Sequence, residues 1–241
     1  GSLDDLLNQM GGGAREAPGG GGLDDLLNQM GGGARGPPRG GGPVSLAVRP
    51  RNPIHRRMQA FANLPIRTAR LELRPLREAD VASLFEIHSD PKVMRYWDAS
   101  IWKNDERGRA MVARDLALTT KDYLRLGIEL AANGKLLGTC ALWGINAQCR
   151  RAEIGYILGS QRWGQGYMHE ALSALLDYAF TELNLNRVEA DTDPRNERSA
   201  RVLDRLKFSK EGLFRERCIV DGEISDAAMY GLLRREWNQE P

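Results

Sequence analysis

The chain has 241 residues, and its 34 Lys plus Arg nearly balance 32 Asp plus Glu, for a formal net charge of +2. Hydrophobic content of 41% and charged content of 27% match ordinary soluble usage, so the length permits one conventional domain with extensions. No apolar run approaches the roughly 18 residues of a bilayer span. The first residues lack the basic-then-apolar pattern of a secretory signal. The expectation is a cytoplasmic protein with neither a membrane partner nor a specific nucleic-acid partner.

Residues 1–43 differ in composition from everything that follows. Leu3-Asp4-Asp5-Leu6-Leu7-Asn8-Gln9-Met10 recurs unchanged from Leu23 to Met30, each copy followed by three glycines. Glycine-rich chain buries too little apolar surface to offset its ordering entropy, so this segment is expected to be flexible. Within each copy, Leu3, Leu6, Leu7 and Met10 form one apolar helical stripe. Asp4 and Asp5 favour the start of that helix, and the glycines end it. Residues 3–10 and 23–30 therefore suit a helix-in-groove partner, and two copies would add avidity. The alternative is a low-complexity extension or an engineered tail, for which the leading Gly1-Ser2 and the identity of the copies speak. A connector follows at 44–65, where Arg49, Arg51, Arg56 and Arg57 form a basic cluster that suits either contact with phosphate or an acidic surface or, more commonly, a solvated flank.

A compact domain is expected over 66–237, a common domain size. Leu71 and Leu73 alternate with charged residues as a first strand. Val81, Leu84, Phe85 and His88 make a helical stripe after Asp80, and a second helix is predicted from Glu106 to Thr119. Asn133-Gly134 between two strand-like runs (123–131 and 135–143) reads as a hairpin, and 152–158 as a further strand. Leu172, Leu175, Leu176, Ala179 and Leu183 mark a long amphipathic helix. A strand at 187–192, a helix at 199–206 and a hairpin turning at Asp221-Gly222 complete the pattern. Strands and helices interleaved in this way predict an α/β (α+β) fold, a mixed sheet with helices on its faces.

Gln161 to Gly166 lies between a predicted strand and a predicted helix. Backbone N–H groups at a helix N-terminus, with the dipole behind them, suit a phosphate or pyrophosphate. Gly164 and Gly166 allow the backbone to come close to such a ligand. The spacing is neither the dinucleotide fingerprint nor the P-loop. The three cysteines, Cys140, Cys149 and Cys218, are odd in number and widely spaced. They suggest neither a disulfide framework nor zinc, and the three histidines are equally scattered, so no metal is expected.

Gln-x-x-Gly-x-Gly at Gln161 to Gly166 resembles the acetyl-CoA pyrophosphate loop of the GNAT superfamily of N-acetyltransferases. Arg70-Leu71-Glu72-Leu73-Arg74-Pro75-Leu76 with Asp80, Ala152-Glu153-Ile154-Gly155-Tyr156, and Asn196-x-x-Ser199 with Val202-Leu203 and Phe208 are similar to its Rim-type subfamily. Enzymes of that subfamily acetylate protein N-termini. The resemblance spans residues 66–237 and implies a splayed, mostly antiparallel sheet of about seven strands with about four helices. It implies that the acetyl-CoA pantetheine pairs with backbone near Ile157 and Leu158. It further implies that Arg162, Trp163, Gly164, Gln165, Gly166 and Tyr167 cradle the pyrophosphate, and that Asn196 bonds the pantetheine or caps a helix.

The implied reaction is attack of a neutral amine on a thioester, which needs a base for the amine proton and donors for the oxyanion. Glu153 is the first candidate base and Glu216 the second, although Glu153 also suits a strand-edge pairing with an arginine. Many family members place a tyrosine on the last helix as acid for the departing thiolate. Leu203 stands there in this chain, which leaves Ser199 as the candidate, or no acid at all. The family's Gly-Phe after that helix is Lys207-Phe208 here, so Lys207 adopts a left-handed conformation at some cost or the helix exits differently. Tyr96, Trp97 and Trp102 are expected either to line an acceptor groove or to seal the core. The acceptor is a protein or peptide α-amine, or alternatively a small amine such as an antibiotic, polyamine or amino acid. A reading of another class is a CoA-binding protein whose purpose is docking through the repeats.

Overall fold

The computed structural model describes residues 61–117 and 121–237. The repeats at 3–10 and 23–30, the segment 1–43 and most of the connector lie outside the described residues. The compact region begins earlier than expected. Phe61 and Leu64 are buried in the main core, and the Tyr178 hydroxyl donates to the Ala62 carbonyl at 2.8 Å. The last five residues assigned to the connector thus belong to the domain.

Strands β1 (Ile66–Arg67) and β2 (Leu71–Arg74) open the sheet. Alternation turns Leu71 and Leu73 into the core, and Arg74 is buried on the opposite face. Its guanidinium forms a bidentate pair with Asp80 at 2.7 and 2.8 Å and donates to Glu129 at 2.6 Å. A buried cation is tolerable only with partners of this kind, so the Arg74-to-Asp80 spacing is structural. Helix α1 (Val81–His88) follows, then the short α2 (Pro91–Met94), where Asp90 accepts from the Lys92 N–H at 2.9 Å and Pro91 sits in the first turn. Helix α3 (Glu106–Ala117) seats Val112 with Leu84 and Trp102.

Strands β3 (Leu124–Leu130), β4 (Lys135–Asn146) and β5 (Arg151–Leu158) form an antiparallel meander, with Gly134 at φ 71° in the predicted Asn-Gly turn. Helix α4 (Tyr167–Thr181) buries Leu172, Leu175, Leu176 and Ala179, the stripe read from its periodicity. Strand β6 (Arg187–Thr192) leads to α5 (Glu197–Arg205), then β7 (Ser209–Val220), β8 (Glu223–Leu233) and the short α6 (Arg234–Trp237). The order across the sheet is β1-β2-β3-β4-β5-β6-β8-β7, antiparallel except between β5 and β6. Eight strands and six helices stand among the described residues, against about seven and about four expected. The additions are the shortest elements, too brief to leave a periodicity.

The parallel pairing of β5 with β6 is short. Only Arg151, Ala152 and Glu153 have partners, namely Arg187, Val188 and Glu189. Ile154 to Leu158 leave that edge while still paired with β4, and β6 goes on beside β8. The sheet therefore parts after Glu153, as the resemblance implied. Pleating sends Ala152, Ile154, Tyr156 and Leu158 towards α4 and α5, and Glu153, Gly155 and Ile157 to the opposite face, where Ile157 meets Ile87, Val93 and Met94. Helix α5 ends with Lys207 at φ 66°, the left-handed option. The Phe208 N–H bonds the Leu203 carbonyl and the Lys207 N–H bonds the Asp204 carbonyl, both at 3.0 Å, the bonding pattern of a Schellman cap.

Candidate active site

The loop after β5 begins as a 3-10 turn at Ser160–Arg162. It continues through Trp163 and two left-handed glycines, Gly164 at φ 75° and Gly166 at φ 80°, the latter being the N-cap of α4. Gly164, Gln165 and Gly166 are exposed, and a Cβ on Gly164 would meet no atom within 4 Å. Open space, orphan N–H groups and a helix dipole converge there, which suits a pyrophosphate. The Gln165 side chain folds back to the Gln161 carbonyl at 3.1 Å. Trp163 donates its indole N–H to the Leu158 carbonyl at 2.9 Å, so one backbone acceptor expected to face a ligand is used internally. Tyr167 is half-buried beneath Arg70, whose guanidinium lies 4.5 Å from the ring centre. Arg198 lies 4.6 Å over the Trp163 ring. These two arginines flank the loop, and sequence reasoning did not single either out. Arg198 was legible only as the neighbour of Ser199.

Asn196 is the N-cap of α5, its side-chain oxygen accepting from the Ser199 N–H at 3.1 Å. The capping alternative is realised, and its amide nitrogen is left for other bonding. The Ser199 hydroxyl sits 2.7 Å from the Tyr156 hydroxyl, on the α4–α5 side of the parted strands. Burial pushes the Tyr156 phenol well above its usual range against the opposing Ser199 bond, so it keeps its proton. Sequence reasoning missed Tyr156 because the pair joins residues 43 apart. Leu203 is fully buried and has no chemistry to offer.

Glu153 lies on the other face at the last shared rung of β5 and β6, half-buried, accepting from the Trp143 indole N–H at 3.0 Å. The arginine pairing considered for it goes instead to Glu189, which receives Arg151 at 3.0 Å and Arg187 at 2.7 Å. Asp191, two residues beyond Glu189, lies on the same face, just past the parting. Partial burial of the carboxylate raises its pKa against the nearby Arg217 cation. It is a further base candidate that the sequence did not reveal, because only the strand register places it there. Glu216 is not brought to this group. It sits exposed at φ 53° in a bulge of β7, its N–H bonded to Asp226 at 2.8 Å. Three strand spacings, roughly 14 Å, separate β5 from β7, and Glu153 lies in a different row. Of the aromatics, Trp102 seals the core, stacked on His88 at 4.0 Å, whereas Tyr96 meets Arg195 at 5.7 Å.

The parted strands, the glycine loop at the start of α4, and the carboxylates and hydroxyls on the two faces of the sheet are the groups that an acyl transfer from a phosphorylated carrier would use. The comparisons agree with this geometry. The model of the acetyltransferase (GNAT) domain matches residues 70–209, and the chain belongs to that family of N-acetyltransferases, which use acetyl-CoA. An uncharacterized N-acetyltransferase, p20 of Bacillus licheniformis, is 38% identical over 172 residues, covering 70% of this chain and 96% of that protein. The spermidine N(1)-acetyltransferase of Escherichia coli K12 is 27% identical over 174 residues, covering 70% and 89%. Among solved structures, Mycobacterium smegmatis RimJ in complex with CoA-disulfide superposes with a TM-score of 0.63 at 27% identity, covering 70% and 85%. No helix among the described residues is long and apolar enough to cross a membrane.

Proposed function

We propose that the chain transfers the acetyl group of acetyl-CoA to the N-terminal α-amine of a protein or peptide. The observation that carries this reading is the open acceptor side. An open, shallow surface lies along β7, lined by Leu213, Phe214, Arg215, Glu216 and Arg217. Leu213 and Phe214 are 47% and 49% exposed on a strand that is the outer edge of the sheet. An exposed edge with apolar side chains suits an extended polypeptide. The resemblance of segments 70–76 and 196–208 to the Rim-type subfamily supports the same direction.

In this reading Gly164, Gly166 and Arg162 hold the pyrophosphate, with Trp163, Gln165 and Tyr167 shaping the loop. The pantetheine lies in the gap opened between Ile154–Leu158 of β5 and the end of β6. Acetyl-CoA supplies the activated thioester. The acceptor amine approaches from the face of Glu153, which takes its proton, while Asp191 lies across the gap as a second carboxylate. The sulfur leaves on the opposite face, where the paired hydroxyls of Ser199 and Tyr156 donate to it. Separating base and donor on two faces prevents their short-circuiting each other.

A small polyamine is the second reading, favoured by one observation. Glu153 and Asp191 set two carboxylates on one face of the sheet beside the parting, which suits a polycation. Thiol release with serine- and methionine-initiated peptides, measured against spermidine, separates the two readings. We expect peptides to give at least about tenfold higher kcat/KM; the reverse order overturns the peptide reading. Glu153→Gln is expected to lower kcat about 10²–10⁴-fold, the usual worth of a general base. An unchanged kcat removes Glu153 from that role and passes the test to Asp191→Asn.

A further inference from the structure

The loop between β5 and α4 is held from a distance. Glu170 stands in the first turn of α4, where its carboxylate collects three bonds from the turn between β1 and β2. One oxygen accepts from the Thr68 hydroxyl at 2.6 Å and from the Arg70 N–H at 2.9 Å. The other accepts from Arg70 Nε at 2.6 Å. Burial raises the Glu170 pKa, but the bonds from Thr68 and Arg70 outweigh it and leave the carboxyl below its ordinary range. Thus anchored, the Arg70 guanidinium reaches over Tyr167 and donates from Nη1 to the Gln165 carbonyl at 3.1 Å. A Cβ on Gly166 would stand 3.4 Å from Arg70 Nη2, so the guanidinium wraps closely round this corner of the loop.

The geometry of a peptide unit turns this contact into a directional one. The Gln165–Gly166 bond is trans, so its C=O and N–H point in opposite directions within one plane. Fixing the carbonyl on Arg70 aims the Gly166 N–H the other way, out of the loop. That N–H is an orphan donor at the helix start, and Gly166 has a left-handed φ of 80° and few steric limits of its own. A second consequence is electrostatic. A bare Glu170 would set a negative charge beside the bound phosphates, and Arg70 neutralises it.

We propose that Arg70, anchored by Glu170 and Thr68, is a positioning residue of the acetyl-CoA site. It orients the Gly166 N–H towards the pyrophosphate and cancels the carboxylate charge in the first turn of α4. This inference rests on the loop being the pyrophosphate site. Arg70→Lys keeps the charge but loses the planar fork that spans Glu170 and Gln165 at once. Glu170→Gln releases the guanidinium while removing the negative charge. Charge removal alone predicts tighter CoA binding for Glu170→Gln, whereas loss of the anchor predicts weaker binding, so the sign decides between them.

The experiment measures CoA binding by calorimetry and pantetheine binding by NMR titration, with the full chain and both variants. Pantetheine has the arm but no pyrophosphate. The wild type should bind CoA far more tightly than pantetheine. Each variant should weaken CoA about tenfold, the worth of one charge-assisted hydrogen bond, and leave pantetheine within about twofold. A wild type that binds both ligands equally overturns the pyrophosphate reading itself. Variants that keep the full wild-type preference for CoA overturn the positioning role alone. So does equal weakening of both ligands, which marks a merely structural contact, or tighter CoA binding by Glu170→Gln. Should one variant fail to fold, the other decides.

Discussion

Gly155 is the position where a single methyl group tests the architecture of the base. A Cβ built there would stand 2.3 and 2.4 Å from two carbons of the Trp143 ring. Ordinary carbon contacts are about 3.5–4.0 Å, so Gly155→Ala must drive the ring back by more than about 1 Å. Trp143 holds Glu153 through an indole bond of 3.0 Å, which a displacement of that size breaks. Overpacking of this kind costs about 1–3 kcal/mol. At roughly 2–4 °C per kcal/mol for a domain of this size, Tm should fall about 2–12 °C. A hydrogen bond to a carboxylate contributes about 1.5–3 kcal/mol, so kcat should fall about 10- to 100-fold. Differential scanning fluorimetry and steady-state thiol release measure both quantities. Adding Trp143→Leu to Gly155→Ala makes room for the methyl group and should recover much of the Tm, but not kcat, since the indole donor is gone. An unchanged Tm and kcat in Gly155→Ala would refute the wedge. Recovery of kcat in the double variant would refute the role of the indole N–H.

Lys207→Gly should raise stability by about 0.5–1 kcal/mol in chemical denaturation, because Lys207 holds φ 66° in a Schellman cap where glycine carries little penalty. Thiol labelling of the native protein should modify Cys149 first, since it is exposed, and Cys140 only on unfolding, because burial excludes reagent and pushes that thiol up to about 12. Acid should destabilise the fold through Asp90, Glu170 and Asp193. The Ser160 bond lowers Asp90, and for Glu170 and Asp193 burial is outweighed by bonds from Thr68 and Arg70 and from Arg195 respectively. Their folded pKa values lie below the unfolded ones, so their contribution is complete above about pH 5 and is lost as pH falls through the folded values. Denaturation midpoints at pH 7, 5 and 3 check this, and a midpoint that holds down to pH 3 contradicts it.

What the sequence alone determined was local. The apolar stripe of α4, the Asn133-Gly134 and Asp221-Gly222 turns, and the glycines of the anion loop each follow from periods and dihedral needs that act over a few residues. Those signals, taken in order, were enough for the family and for its acetyl-CoA cosubstrate, and they led to the loop proposed to hold it. The tertiary structure decided the rest, because its contacts join residues far apart in the chain. Strand register alone parts β5 from β6 after Glu153, sets Asp191 beside the gap and leaves Glu216 three strands away. Tyr156 meets Ser199 across 43 residues, and Arg70 meets Glu170 across 100. Arg70 and Arg74 stand in the same short motif. Only packing shows that Arg74 is a buried structural ion and that Arg70 reaches the loop, since side-chain alternation and helix placement send two arginines four residues apart to different partners.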